Sequence, residues 1–116
     1  MMSRLICRAL PTVVLVGALF SCTASSSVQE EENKAIVRRF GEAQNARDYD
    51  ALDDLIAVDF VRHSQATPDV EVRSLEDFKE FLRQYAAVFP DSRVAERMVV
   101  ADGDLVAFWA TFTGTQ

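Results

Sequence analysis

At 116 residues the chain is long enough for one small domain. Twelve basic residues stand against 18 acidic ones, a net charge of −6. That balance disfavours nucleic acid, whose phosphates call for a basic face, and electrostatic adsorption to anionic lipid.

Met1 to Arg8 carries Arg4 and Arg8 and no acid, and Ala9 to Phe20 is an almost wholly apolar run (ALPTVVLVGALF). A basic start followed by a short apolar run is the pattern of a secretory signal. The run is too short to span a bilayer, which takes roughly 20 apolar residues, and Pro11 and Gly17 speak against a buried core helix. Leu19-Phe20-Ser21-Cys22 resembles the lipobox of bacterial lipoproteins, in which the signal is cut just before a cysteine that is then acylated. The resemblance implies a signal over residues 1–21, a lipidated Cys22 and export to the cell envelope, with the membrane reached through the lipid anchor only. Acyl chains anchor because each buried CH₂ contributes about 0.8 kcal/mol. An ordinary signal cut near Ala24, releasing a free protein, is the other reading of the same residues. Cys7 and Cys22 both lie in or beside this segment, so the following domain has no disulfide and relies on packing. Without Arg4 and Arg8, ten basic residues face the same 18 acids, a net −8 that favours solubility.

Residues 22–29 are small and polar after the cysteine (TASSSVQ) and read as a flexible tether; residues 30–116 read as the folded domain. A helix is expected to begin near Glu30, with Glu30, Glu31 and Glu32 at its dipole-favoured end. Ile36, Val37, Phe40 and Ala43 supply its apolar stripe, and Asn45-Ala46-Arg47-Asp48 its exit. A short second helix is expected over Asp50–Ala57, with Leu52, Leu55 and Ile56 on one side. Val58 to His63 reads as a short strand, Val58, Phe60 and Arg62 alternating against Asp59, Val61 and His63. Ser64 to Arg73, with Pro68, reads as a loop.

The third helix has the strongest pattern. Ser74 is its cap, Asp77 follows three residues on, and Phe78, Phe81, Leu82, Tyr85 and Phe89 form one stripe before Pro90 ends it. From Arg93 the period becomes strand-like. Arg93–Ala101 and Leu105–Thr115 are joined by Asp102-Gly103-Asp104, a hairpin signal. Val106, Phe108, Ala110 and Phe112 share one face of the second strand, and Leu105, Ala107, Trp109, Thr111 and Thr113 the other. Both faces are semi-apolar, as in a sheet covered on both sides: helices on one, a second subunit on the other. The chain ends at Gln116 directly after this apolar strand, so the sheet reads as cut in mid-domain with an open edge.

Asn33–Phe40, Asn45–Leu52, Asp59–Ser64, Phe78–Leu82, Phe89–Asp91, Gly103–Ala107 and Thr113–Gln116 occur in the order and spacing of the SnoaL-like polyketide cyclase and ester cyclase family, which the chain resembles from about Glu31 to Gln116. The resemblance implies an α+β fold, the NTF2-like cone, with N-terminal helices packed on a curved mixed sheet, an apolar pocket in its mouth and a homodimer through the outer sheet face. It also implies a further strand pair after Thr113-Gly114-Thr115-Gln116. The acid that transfers protons in the polyketide cyclases lies in that later part, and no position here corresponds to it.

The chemistry implied is cofactor-free aldol closure: a base removes a proton alpha to a carbonyl and a donor steadies the enolate oxygen. The partner is then a small apolar molecule. His63, the only histidine, is a candidate because imidazole is suited to proton transfer near neutral pH; a lone histidine at a strand end is more often a hydrogen-bonded structural residue. Tyr85 is the candidate oxyanion donor, or a core residue with its hydroxyl at the edge. Phe40, Phe60, Phe81, Phe108 and Phe112 are core residues and candidate pocket walls, and Trp109 a subunit contact. Asp102-Gly103-Asp104 lacks the spaced ligands of a calcium loop, and no phosphate loop, zinc spacing or serine-hydrolase elbow occurs. A non-catalytic ligand-binding or dimerisation module at the cell envelope, or an inactive shortened homologue, are the rival readings.

Overall fold

The computed structural model describes the backbone of residues 21–115 and the side chains of residues 26–115. Residues 1–20 of the signal expected over residues 1–21, and the side chain of Cys22, lie outside the described residues.

Helix α1 spans Ser21–Ala46. It therefore includes the stretch expected to be a tether, and Glu30–Glu32 sit inside the helix rather than in its first turn. Extending an existing helix gains one hydrogen bond per residue fixed, and Thr23–Gln29 contains neither proline nor glycine to stop it. The exit falls where expected. Arg47 takes φ +60°, its N–H reaches Gln44 O at 3.2 Å and the N–H of Asp48 reaches Ala43 O at 3.0 Å. This is a Schellman closure with arginine in the place glycine usually fills.

The expected second helix shortens to a 3₁₀ turn, Asp50–Asp54. Asp48 Oδ1 accepts from Ala51 N at 3.2 Å, and both Leu55 N and Ile56 N converge on Leu52 O, which closes the turn after one round. Leu52 is driven fully into the core, at 0% exposure.

The expected strand over Val58–His63 is absent. One bridge, Arg62 to Val72, is all that forms, because the returning loop brings only Val72 alongside. Val58 is 80% exposed and Phe60 N closes a turn onto Ala57 O, so the inward alternation begins at Phe60 only.

Helix α2 spans Leu75–Val88. Ser74 Oγ accepts from Asp77 N at 3.1 Å. In return Asp77 Oδ2 accepts from Arg73 N at 3.1 Å, one residue earlier than in the usual capping box. Leu75, Phe78 and Leu82 join Ala43, Leu52 and Val72 in the core, between α1, the 3₁₀ turn and α2.

Strands β1, Arg93–Asp102, and β2, Leu105–Thr113, form an antiparallel hairpin. The two-residue loop is Gly103-Asp104, since Asp102 pairs with Leu105. Gly103 has φ +56° and Asp104 does not share a positive φ, the pattern of a II′ turn. Among the described residues the sheet has these two strands and is purely antiparallel, not mixed. A bulge between Glu96 and Met98 resets the register, so that Val94, Glu96, Val99 and Ala101 share the inner face with Val106, Phe108, Ala110 and Phe112. Met98, Val100, Leu105 and Trp109 lie on the outer face and are exposed.

Side chains hold α1 against the hairpin at both ends. Glu30 Oε1 accepts from Gly103 N at 3.2 Å and Asn33 Nδ2 donates to Gly103 O at 3.0 Å. At the other end the Asn45 amide donates to Val94 O and accepts from Val94 N, each at 2.8 Å, completing the edge of β1 as a strand would. The α2–β1 turn is tied to both: Arg47 donates to Pro90 O, Ser92 O and Ser92 Oγ at 3.2, 3.1 and 2.7 Å.

Candidate functional site

A groove of about 450 Å³ lies between α1 and the inner sheet face. Phe40 and Val37 line it from the helix, and Val94, Phe108 and Ala110 from the strands. Its polar groups are Glu42, Gln44, Asn45 and an ion pair, Arg38 Nε to Glu96 Oε1 at 3.5 Å. Sequence reasoning missed this pair. Glu96 falls on the inner face because of the bulge at Arg97, and nothing in the residue pattern announces a bulge.

The remaining expected pocket residues stack into one aromatic file. Phe40 and Phe60 both pack on Phe78, with ring centroids 6.0 and 4.9 Å apart. Phe78 passes to Phe81 at 6.3 Å and Phe81 to Tyr85 at 5.9 Å. Tyr85 then meets Phe89 at 5.0 Å and the edge of Phe112 at 5.2 Å. Such offset and edge contacts are the favoured arrangements for aromatic rings. Of the expected pocket residues Phe40 and Phe108 line the groove, whereas Phe60, Phe81, Tyr85 and Phe112 do not; the file reaches the inner face of β2 at Phe112, two residues beyond Ala110. The Tyr85 ring is partly buried, and its hydroxyl has no hydrogen-bond partner among the described residues.

His63 lies elsewhere. It is exposed, makes no hydrogen bond among the described residues, and borders a second cleft of about 500 Å³ within the 61–73 loop. Tyr85 does not line that cleft. The two candidate catalytic residues are thus not brought together, because the alternation that turns Phe60 inward turns His63 out. Its neighbour Arg62 points inward instead, the guanidinium 4.4 Å over the Phe81 ring. The alternation at Phe60 and Arg62 was the signal for it.

Lys79 is the other residue whose role the stripe of α2 concealed. It is 5% exposed and donates to Asp53 Oδ1 at 2.6 Å, which pairs the buried ammonium with a carboxylate. Trp109 is 69% exposed on the outer sheet. Among the described residues no three His, Cys, Asp or Glu side chains cluster as metal ligands would, and Asp102 and Asp104 flank a turn.

The arrangement of helices on an antiparallel sheet defines an α+β domain of the NTF2-like kind. It is similar to the crystal structure of a Kribbella flavida protein proposed to be a ketosteroid isomerase, with a TM-score of 0.66 at 21% identity. The match covers 74% of this chain and 61% of that one, so the chain spans less than two thirds of that neighbour. More particularly, residues 34–116 match the model of the SnoaL-like polyketide cyclases, and the chain belongs to that family. No curated protein matches it.

Proposed function

We propose that this domain takes a small, largely apolar carbonyl compound into the groove between α1 and the inner sheet face, and handles it by the acid–base, aldol-type chemistry of a cyclase or isomerase. The observation that carries the proposal is the aromatic file. Phe40 and Phe108 offer apolar walls, and Tyr85, joined to the inner sheet face through Phe112, holds a hydroxyl with no hydrogen-bond partner among the described residues, a donor for the carbonyl or enolate oxygen of a ligand that extends past the groove along the file. Substituting Tyr85→Phe removes one hydrogen bond to the ligand and keeps the ring contacts. A net hydrogen bond of about 1 kcal/mol predicts a several-fold weaker titration with an aryl ketone. Equal affinity for wild type and variant would remove Tyr85 from the site.

A non-catalytic binding module is the second reading, and the separation of His63 from Tyr85 favours it. Turnover distinguishes the two: His63→Ala should abolish proton exchange alpha to the carbonyl if His63 is the base, and leave it unchanged if it is not. We further propose that the chain is exported and anchored through acylated Cys22, in keeping with the lipobox-like Leu19–Cys22, and that it pairs with a second copy through the exposed outer face. The intact mass of protein taken from its native membrane tests the anchor; an unacylated cysteine contradicts it.

A further inference from the structure

The groove does not use Arg62, and the surroundings of this side chain are unusual. Its backbone is fixed, since Arg62 N donates to Val72 O at 3.0 Å and Val72 is 2% exposed. The guanidinium is partly buried and lies over Phe81. A guanidinium carries five N–H donors, and here Nη1 alone has a protein partner among the described residues, Thr67 Oγ1 at 3.0 Å. No carboxylate among them pairs with it. Charge withdrawn from water without a counterion is unfavourable, so this arginine stands to gain from an anion.

The cleft of about 500 Å³ in the 61–73 loop is where an anion would reach it. Two other charged groups border the cleft, Glu71 and Arg73, and they satisfy each other. Arg73 Nε and Nη2 fork onto the two Glu71 oxygens at 3.1 and 3.3 Å, and that hydrogen bonding holds the Glu71 carboxyl below its ordinary value. The balance left over is one positive charge, on Arg62. The rest of the lining is mixed: Val61, Pro68, Val70 and Val72 are apolar, and His63, Ser64, Gln65 and Thr67 are polar.

We propose that this cleft is a second binding site, separate from the groove, for a small carboxylate with an apolar body: the carboxylate on the planar fork of Arg62, the body against Val61, Pro68 and Val70. The single uncompensated charge and the apolar part of the lining at Val61, Pro68 and Val70 favour a monoanionic carboxylate over phosphate, which brings more charge and no apolar surface. Planar carboxylate also matches the guanidinium fork through two parallel hydrogen bonds.

Calorimetric titration of the full chain with 4-tert-butylbenzoate, 4-tert-butylbenzamide and inorganic phosphate tests the site. The benzoate is expected to saturate with an affinity about tenfold or more above that of the isosteric amide, in line with the greater strength of charge-assisted hydrogen bonds. Arg62→Met should reduce the benzoate to the level of the amide, and Arg62→Lys should restore part of the difference as a point charge without the fork. Thermal melts by circular dichroism establish that each variant folds; the comparison of benzoate with amide in the wild type needs no variant. Equal affinity of benzoate and amide, absence of benzoate binding, an Arg62→Met variant that folds and binds benzoate unchanged, or phosphate displacing benzoate at lower concentration would each overturn the proposal.

Discussion

Arg47 shows how a single residue ties the domain together at a local cost. A non-glycine residue at φ +60° carries strain on the order of 1 kcal/mol, yet its guanidinium gathers the carbonyls of Gln44, Pro90 and Ser92 and the hydroxyl of Ser92, a residue that is itself buried. Arg47→Gly relieves the strain and strips the buried Ser92 of its partner. The second effect is the larger, and a net loss of roughly 1–2 kcal/mol is expected, read as a lower melting temperature; a rise would mean that the anchor is idle. Asp91 plays a similar part nearby. Its carboxylate accepts from Thr115 N at 2.8 Å and from Thr115 Oγ1 at 2.7 Å. These bonds, the backbone one foremost, hold its pKa below the ordinary 3.8. A carboxyl with a depressed folded pKa stabilises the fold above its unfolded value and loses that contribution as pH falls through the folded one. The melting-temperature gap between wild type and Asp91→Asn should therefore be constant near neutral pH and close below about pH 4; a gap that persists at pH 2 contradicts the assignment.

At the scale of elements, what could be read from the residues depended on whether the signal was local. The cap at Ser74, the Phe78–Leu82–Tyr85 stripe and the glycine of the hairpin turn act within a few residues, and each lies where the pattern puts it. The helix exit at Asn45–Asp48 is equally local. Elements that depend on distant partners were not legible. The Val58–His63 segment has strand-like alternation, but a strand needs a neighbour along its length, and Val72 alone is offered. The upstream reach of α1 is likewise a matter of propagation and of the docking of Glu30 and Asn33 on Gly103, 70 or more positions away. The same distinction applies to the site. Phe40 and Phe108 were identifiable by periodicity, as was the inward side of Arg62, whereas the Arg38–Glu96 pair depends on the bulge between Glu96 and Met98. Tyr85 lies on the core stripe as its spacing implied, whereas its hydroxyl, without a hydrogen-bond partner among the described residues, depends on how the surrounding rings are placed.

At the scale of the whole molecule, the hairpin divides two surfaces of opposite use. Its inner face is held under α1 and leaves the groove; its outer face presents Met98, Val100, Leu105 and Trp109 to solvent. Large exposed apolar patches on soluble proteins mark interaction surfaces, which is the basis for the proposed pairing with a second copy. Light scattering on a size-exclusion column should give twice the chain mass for the wild type and the single mass for Trp109→Asp; a monomeric wild type at micromolar concentration removes the dimer. The groove is the central claim, and an NMR titration of the isotopically labelled full chain with a naphthyl ketone tests it most directly. The account predicts saturable shifts concentrated at Phe40, Gly41, Val94, Phe108 and Ala110, the residues on the two walls of the groove. Shifts confined to the 61–73 loop or to the outer face at Trp109, with those five residues unmoved, would contradict it.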